Sequence, residues 1–152
     1  MNKFFFIFLS IFFISKIIYA EDIFIESDEL IITNNPLTTT FIGNVYAFDN
    51  EIKLWSKKVI ILYNKTDNKI KQIKSFDGSK IIRQDQEIIS DNMIYSVIDE
   101  KIVAFGNVTL TQDTNIIKGD ELKVDLLEST SIMSSKNLNR VKVKINKNNE
   151  SN

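Results

Sequence analysis

The chain has 152 residues, of which 43% are hydrophobic, 26% charged and 11% aromatic, enough for one domain with a core and too apolar for wholesale disorder. Four glycines and one proline exclude collagen-like and Pro/Gly-rich low-complexity classes. With no cysteine and no histidine, disulfide frameworks, thiolate or imidazole metal sites and catalysts built on those side chains are excluded.

Lys3 precedes the apolar run FFFIFLSIFFI, Phe4 to Ile14, broken only by Ser10, and the segment closes at Ile18-Tyr19-Ala20 before Glu21-Asp22. This is the pattern of a secretory signal peptide over residues 1–20, cleaved after Ala20. A spanning helix needs about twenty apolar residues, and Lys16 interrupts any extension of the run. The rival reading keeps the segment as an uncleaved anchor. Its removal takes six of the eleven phenylalanines and leaves 17 basic against 20 acidic side chains, a net of −3. Residues 136–152 carry Lys136, Arg140, Lys142, Lys144 and Lys147 against Glu150, a net of +4, so residues 21–135 hold −7. An acidic body is a poor match for nucleic acid, whose binding rests on phosphate neutralisation, and no nucleic-acid partner is expected.

After Glu21 the apolar residues recur at every second position, and runs such as VIILY and RVKVKI are rich in β-branched residues, which predicts a nearly all-β domain over residues 21–145. One pattern recurs four times, as IESDELII, LWSKKVII, IISDNMIY and IKGDELKV. Aligned on Ser27, Ser56, Ser90 and Gly119, at spacings of 29, 34 and 29, its apolar columns are Ile25, Leu54, Ile88 and Ile117; then Leu30, Val59, Met93 and Leu122; then Ile32, Ile61, Tyr95 and Val124. Ile25 and Ser27 share one parity and Leu30 and Ile32 the other, so the inward face changes parity across Ser27-Asp28-Glu29. We read this as one residue inserted at an acidic corner.

A second pattern interleaves with it, FIGNVYA around Gly43, FDGSKII around Gly78 and AFGNVTL around Gly106, each glycine 12 or 13 residues before the next corner. Glycine inside a strand marks a bend or a close backbone approach. TNNPLT at 33–38, NKTDNK at 64–69 and VIDEK at 97–101 supply turns. Three and a half units of about thirty residues are expected to form twisted antiparallel sheets whose inner faces meet. The last alternating stretch, Arg140 to Ile145, reads as an edge strand in which Val141, Val143 and Ile145 face one way. Either Lys142 and Lys144 guard that edge against association, or the edge stacks on another sheet.

The corner motif, the glycine bend in FIGNV and in KIVAFGNVTLTQ followed by IKGDELKVDL, the interval of about thirty residues and the leading signal resemble the OstA-like domain of the LptA family of periplasmic lipopolysaccharide transport proteins, over roughly Ile23 to Met133. Two departures fall in the second unit, where Lys57 stands in place of the usual Asp and Lys80 in place of Val45 and Val108. The resemblance implies an open-ended, V-shaped β-jellyroll whose interior receives the acyl chains of lipopolysaccharide. Its groove would be lined by the columns above with Phe41, Val45, Phe76, Ala104, Val108 and Leu110. It also implies end-to-end association, through Val141, Val143 and Ile145, with further copies and with LptC-like inner-membrane and LptD-like outer-membrane jellyrolls. An anchored LptC-like subunit of the same system is the alternative.

Such a protein is not an enzyme and needs no metal or cofactor. Asp28, Asp91 and Asp120 occupy equivalent corners, which argues for turn structure over one paired active site. Trp55 reads as packing or rim, or as a sugar platform, and Lys80 and Arg83 as solvated charge, or as lipid phosphate contacts. Residues 146–152 are expected to be a disordered polar tail.

Overall fold

Residues that alternate apolar with polar and are rich in Ile and Val fit a pleated, half-buried surface, and in this chain they build strands throughout. The computed structural model describes residues 22–136 and 139–146, so the expected signal over 1–20 and residues 147–152 of the expected tail lie outside the described residues. The strands are β1 (Phe24–Glu26), β2 (Glu29–Asn34), β3 (Leu37–Phe48), β4 (Ile52–Tyr63), β5 (Ile70–Phe76), β6 (Ser79–Arg83), β7 (Gln86–Ser90), β8 (Asn92–Ser96), β9 (Lys101–Gln112), β10 (Asn115–Asp125), β11 (Thr130–Ser134) and β12 (Lys142–Lys144). All their pairings are antiparallel, and there is no helix among the described residues.

The topology is a meander of bent passes. The strands β3, β4, β9 and β10 run unbroken through the bend, while β1 with β2, β5 with β6, β7 with β8, and β11 with β12 are each one pass interrupted there. Each pass pairs with the passes before and after it. One arm of the bend holds β2, β5, β8 and β11 with half of each long strand, and the other holds β1, β6, β7 and β12 with the remaining halves. The two arms form the facing half-sheets of an open-ended β-jellyroll, with β1 and β2 at one open edge and β11 and β12 at the other.

Register locates the bend. Ile42 faces Lys58 and Val45 faces Ser56, so β3 spends two residues, Gly43 and Asn44, where β4 spends only Lys57. Phe105 and Val108 of β9 likewise enclose Gly106 and Asn107 opposite Asp120 alone. The extra residue therefore sits on the glycine strands, and the expected insertion at the acidic corner is corrected. Corner strands change parity because their inward residues are three apart at the bend, as in Ser56 and Val59, while glycine strands keep parity over four, as in Ala104 and Val108. Positive φ is what accommodates the surplus: 78° and 45° at Gly43 and Asn44, 80° and 49° at Gly106 and Asn107.

Each bulge is tied to the neighbouring corner. Asp28 N–H donates to Gly43 O at 3.0 Å and Asn44 Nδ2 donates to Asp28 Oδ2 at 2.8 Å. The same pair of bonds joins Asp91 to Gly106 and Asn107, both at 2.8 Å. At Asp120 the carboxylate accepts the N–H of Lys136 at 2.6 Å, across the same separation of 16 residues.

The second unit departs by one residue. There the left-handed pair is Asp77 (φ 63°) and Gly78 (φ 95°), so Gly78 takes the place of Asn44 and not of Gly43. Ser79, 1% exposed, therefore occupies the inward position of Val45, and Ser75, 3% exposed, that of Phe41. Two alignments expected from sequence are corrected. Phe76, paired with Lys58, faces away from the core, and Lys80, paired with Trp55, lies on the outer face.

Candidate functional site: the cleft between the half-sheets

Burial is graded along every pass. At the bend, Val45, Val59, Ala104, Val108 and Leu122 are 0–1% exposed. Moving away from it along β9, Val108 is buried, Leu110 half-buried and Gln112 exposed; along β4, Val59 and Ile61 are buried and Tyr63 half-buried. Two sheets joined at a bend and diverging from it produce this gradient. Side chains near the bend close on one another as a floor, and those farther out line an open mouth.

Small side chains let the arms approach at the floor. Ser75 and Ser79 hydroxyls lie 2.7 Å apart, Ser56 Oγ donates to Phe76 O at 2.9 Å, and Ser90 Oγ donates to Asn92 O at 2.9 Å. Their polar atoms are thus satisfied, which removes the usual penalty of burying a hydroxyl. Gly119 serves the same end, since a Cβ there would stand 2.8 Å from the carbonyl oxygen of Ser134.

The apolar lining forms two clusters. One gathers Val45, Ala47, Leu54, Val59 and Ile61; the other gathers Ile88, Met93, Ile102, Ala104, Val108 and Leu122. Ile81 packs against both. One cross-strand row runs the width of one arm, Ile25, Ala47, Leu54, Ile81, Ile88, Leu110, Ile117 and Val143, each paired with the next.

Three cavities lie between the arms, of about 400 Å³ beside β1 to β5, about 130 Å³ in the centre and about 400 Å³ towards β10. The first two share Ile23, Ala47, Leu54 and Ile73, and the last two share Ile52, Ile81, Tyr95, Ile102 and Leu126, so the three are neighbours with common walls, in a row along the cleft. Burial, with a smaller contribution from the charge of Glu100, pushes the Tyr95 hydroxyl above its ordinary pKa of 10.0, so the residue stays neutral in this lining.

The expected groove residues separate by depth. Val45, Val59, Ala104, Val108 and Leu122 are floor, closed by protein atoms, with Leu54, Ile61, Ile88 and Met93 at 2–9% exposure beside them. Ile25, Phe41, Tyr95, Leu110, Ile117 and Val124 are half-buried along the cleft. Leu30 and Ile32, 53% and 60% exposed, sit on the open edge strand β2. Val141, Val143 and Ile145 are exposed at the opposite edge, where Val143 pairs with Ile117 and the outer side of β12 is unpaired among the described residues. Ile73, Ile81, Ile102 and Leu126 line the cleft and were missed. The odd-numbered run Ile73, Ser75, Ser79, Ile81 carried the signal, hidden by aligning on Gly78 alone. Each of the corner carboxylates Asp28 and Asp91 is engaged by its own asparagine.

No curated protein matches the sequence. Among solved structures, the fold is similar to LptH, the LptA homologous periplasmic component of the conserved lipopolysaccharide transport device from Pseudomonas aeruginosa, with a TM-score of 0.74, 13% identity and coverage of 83% of this chain and 96% of that one. Residues 24–130 match the family described as LptA/(LptD N-terminal domain) LPS transport protein. That match spans most of the chain, from β1 to the start of β11, and the chain belongs to this lipopolysaccharide transport family.

Proposed function

We propose that the protein is a periplasmic carrier that holds the acyl chains of lipopolysaccharide in the cleft between its half-sheets and passes the lipid from the inner towards the outer membrane. The observation that carries this reading is the depth gradient. A closed floor of Val45, Val59, Ala104, Val108 and Leu122 lies beneath a row of adjoining cavities, the central one lined by Ile73, Ile81, Tyr95 and Ile102. Fatty chain entering it gains ~0.8 kcal/mol per buried methylene without needing a hydrogen bond to the tail. Because the lining changes little along the cleft, neighbouring positions offer similar affinity, and a chain can move without a deep trap.

The open edges extend the proposal to a bridge. End-to-end contact with further copies, and with LptC-like and LptD-like jellyrolls at the two membranes, would continue the cleft across the periplasm. Exposed apolar side chains at both edges, Leu30 and Ile32 on β2 and Val143 on β12, support such contact.

Lipid extracted from the purified exported chain and identified by mass spectrometry tests the carrier role. Photocrosslinking then locates it: a photoreactive residue at Tyr95 or Ile81 should capture labelled lipopolysaccharide, while one at the outward Phe76 should not. Equal capture at all three sites would count against the cleft. The apolar run from Phe4 to Ile14 keeps an LptC-like anchored subunit as the second reading. A mature N-terminus at Glu21 favours the carrier, and retention of residues 1–20 the anchor.

A further inference from the structure

The second corner differs from the other three in sequence and in structure. At Asp28, Asp91 and Asp120 a carboxylate accepts a hydrogen bond from the residue sixteen positions on. Lys57 occupies that place in the second unit, exposed and with no ion pair among the described residues. In place of the closed corner there is a cavity of about 560 Å³ on the outer side of the bend, walled by Trp55, Lys57, Lys80, Asn44 and the Asp77-Gly78 turn.

Its chemistry is set by two features. An aromatic ladder ends at this cavity: Phe24, Phe48, Tyr46 and Trp55 stack in sequence with ring centroids 5.4, 5.1 and 5.1 Å apart. Lys80 Nζ stands 5.5 Å from the centre of the Trp55 ring and 2.9 Å from Glu87 Oε2. The second feature is charge segregation. Residues 53–83 contain nine Lys and Arg against Asp67 and Asp77, whereas the remainder of residues 21–135 contains three basic against seventeen acidic side chains. Lys53, Lys58, Lys74 and Lys80 alternate with the inward Leu54, Val59, Ser75 and Ser79, which puts a basic band on the outer face of an otherwise acidic body.

We infer that this cavity is a binding site for an anionic saccharide, a sugar bearing phosphate or carboxylate. Lys57 and Lys80 meet the anion, and Trp55 supplies a ring edge and an indole N–H. An open, sugar-sized depression between two lysines and a tryptophan suits a discrete residue better than an anionic lipid surface, from which the surrounding acidic body would be repelled. The site lies across the sheet from the lipid cleft and does not depend on it.

Trp55 is the only tryptophan in the chain, so its fluorescence reports directly on the site. The test titrates the exported chain with an acyl-free, phosphorylated glucosamine disaccharide, which the apolar cleft has no means to hold. A saturable change in Trp55 emission is expected. Lys57→Asp, which installs the residue found at the other corners, should weaken binding by about tenfold or more, as loss of a charge-assisted hydrogen bond does. Lys123→Gln on the outer face of β10 should leave it unchanged. The inference is overturned if the emission does not respond, if the dephosphorylated disaccharide acts equally, if Lys57→Asp binds as the parent does, or if vesicles of equal phosphatidylglycerol and phosphatidylcholine shift the emission and the disaccharide does not.

Discussion

Asn107 sits at φ 49° with its Nδ2 donating to Asp91 Oδ2, so one side chain both tolerates the left-handed backbone and pins it to the adjacent corner. Asn107→Ala should therefore cost about 1–2 kcal/mol, the bond plus the loss of a residue suited to that conformation. Urea denaturation measures it, and because Asp91→Ala removes the same bond, the double variant should lose less than the sum of the two. Two turn carboxylates predict opposite pH behaviour. A hydrogen bond and the charge of Asp85 raise the Asp113 pKa above its ordinary 3.8, so protonation favours the folded state and stability grows as pH falls through the raised value. Asp113→Asn should melt higher than the parent at neutral pH, the gain closing in acid. For Asp125, the Glu128 N–H and the Lys101 side chain outweigh desolvation and hold the pKa below 3.8. Its contribution is present above 3.8 and lost as pH falls through the depressed value, so Asp125→Asn should melt lower at neutral pH and converge with the parent in acid. At this scale the inward columns were legible because a strand side chain has only two directions. Ser75 and Ser79 were not, because a hydroxyl in a groove looks polar until its partner 2.7 Å away is seen.

For the elements, the decisive features are the bend and the edges. Parity changes in the corner strands were legible from spacing alone. Which strand holds the surplus residue was not, since a bulge is defined by what lies opposite it. The passes alternate in direction and are even in number, so β1 of a second copy would meet β12 antiparallel, continuing the meander. Aligning the inward Ile25 and Val143 puts Glu26 opposite Lys142, and in the other arm the inward Leu30 falls opposite Met133. In the proposed bridge, Glu26→Lys should weaken self-association and Lys142→Glu should restore it in the double variant, by about 0.2–1 kcal/mol per facing pair, read by sedimentation equilibrium or light scattering. Val143→Pro should also reduce oligomer size while the monomer stays folded, since proline takes a donor from an edge ladder. Unchanged particle size for both variants would count against pairing through β12.

In the proposed role the whole molecule is a trough between two half-sheets that a bound lipid braces. A lipid held between the arms adds contacts to both, and at a hundred times its dissociation constant should stabilise the fold by about 2.7 kcal/mol. Calorimetry with and without lipopolysaccharide measures that shift. Tyr95→Glu, which places a charge in the central cavity, should abolish it without disturbing the floor, because Tyr95 is half-buried and lies away from the bend. The sequence by itself determined the strands, the direction side chains face in every unit but the second, the positions where passes must bend and the apolar character of the interior. These depend on a residue and its near neighbours, on a period of two and on a few left-handed backbones. Only the tertiary structure decided how far the arms diverge, that Leu122 is floor while Tyr95 and Ile81 border open space, and that the second corner stays open on its outer side. Those properties arise where eight successive passes stack their bends in register, and the resulting separation of the sheets is set by contacts between residues far apart in the chain.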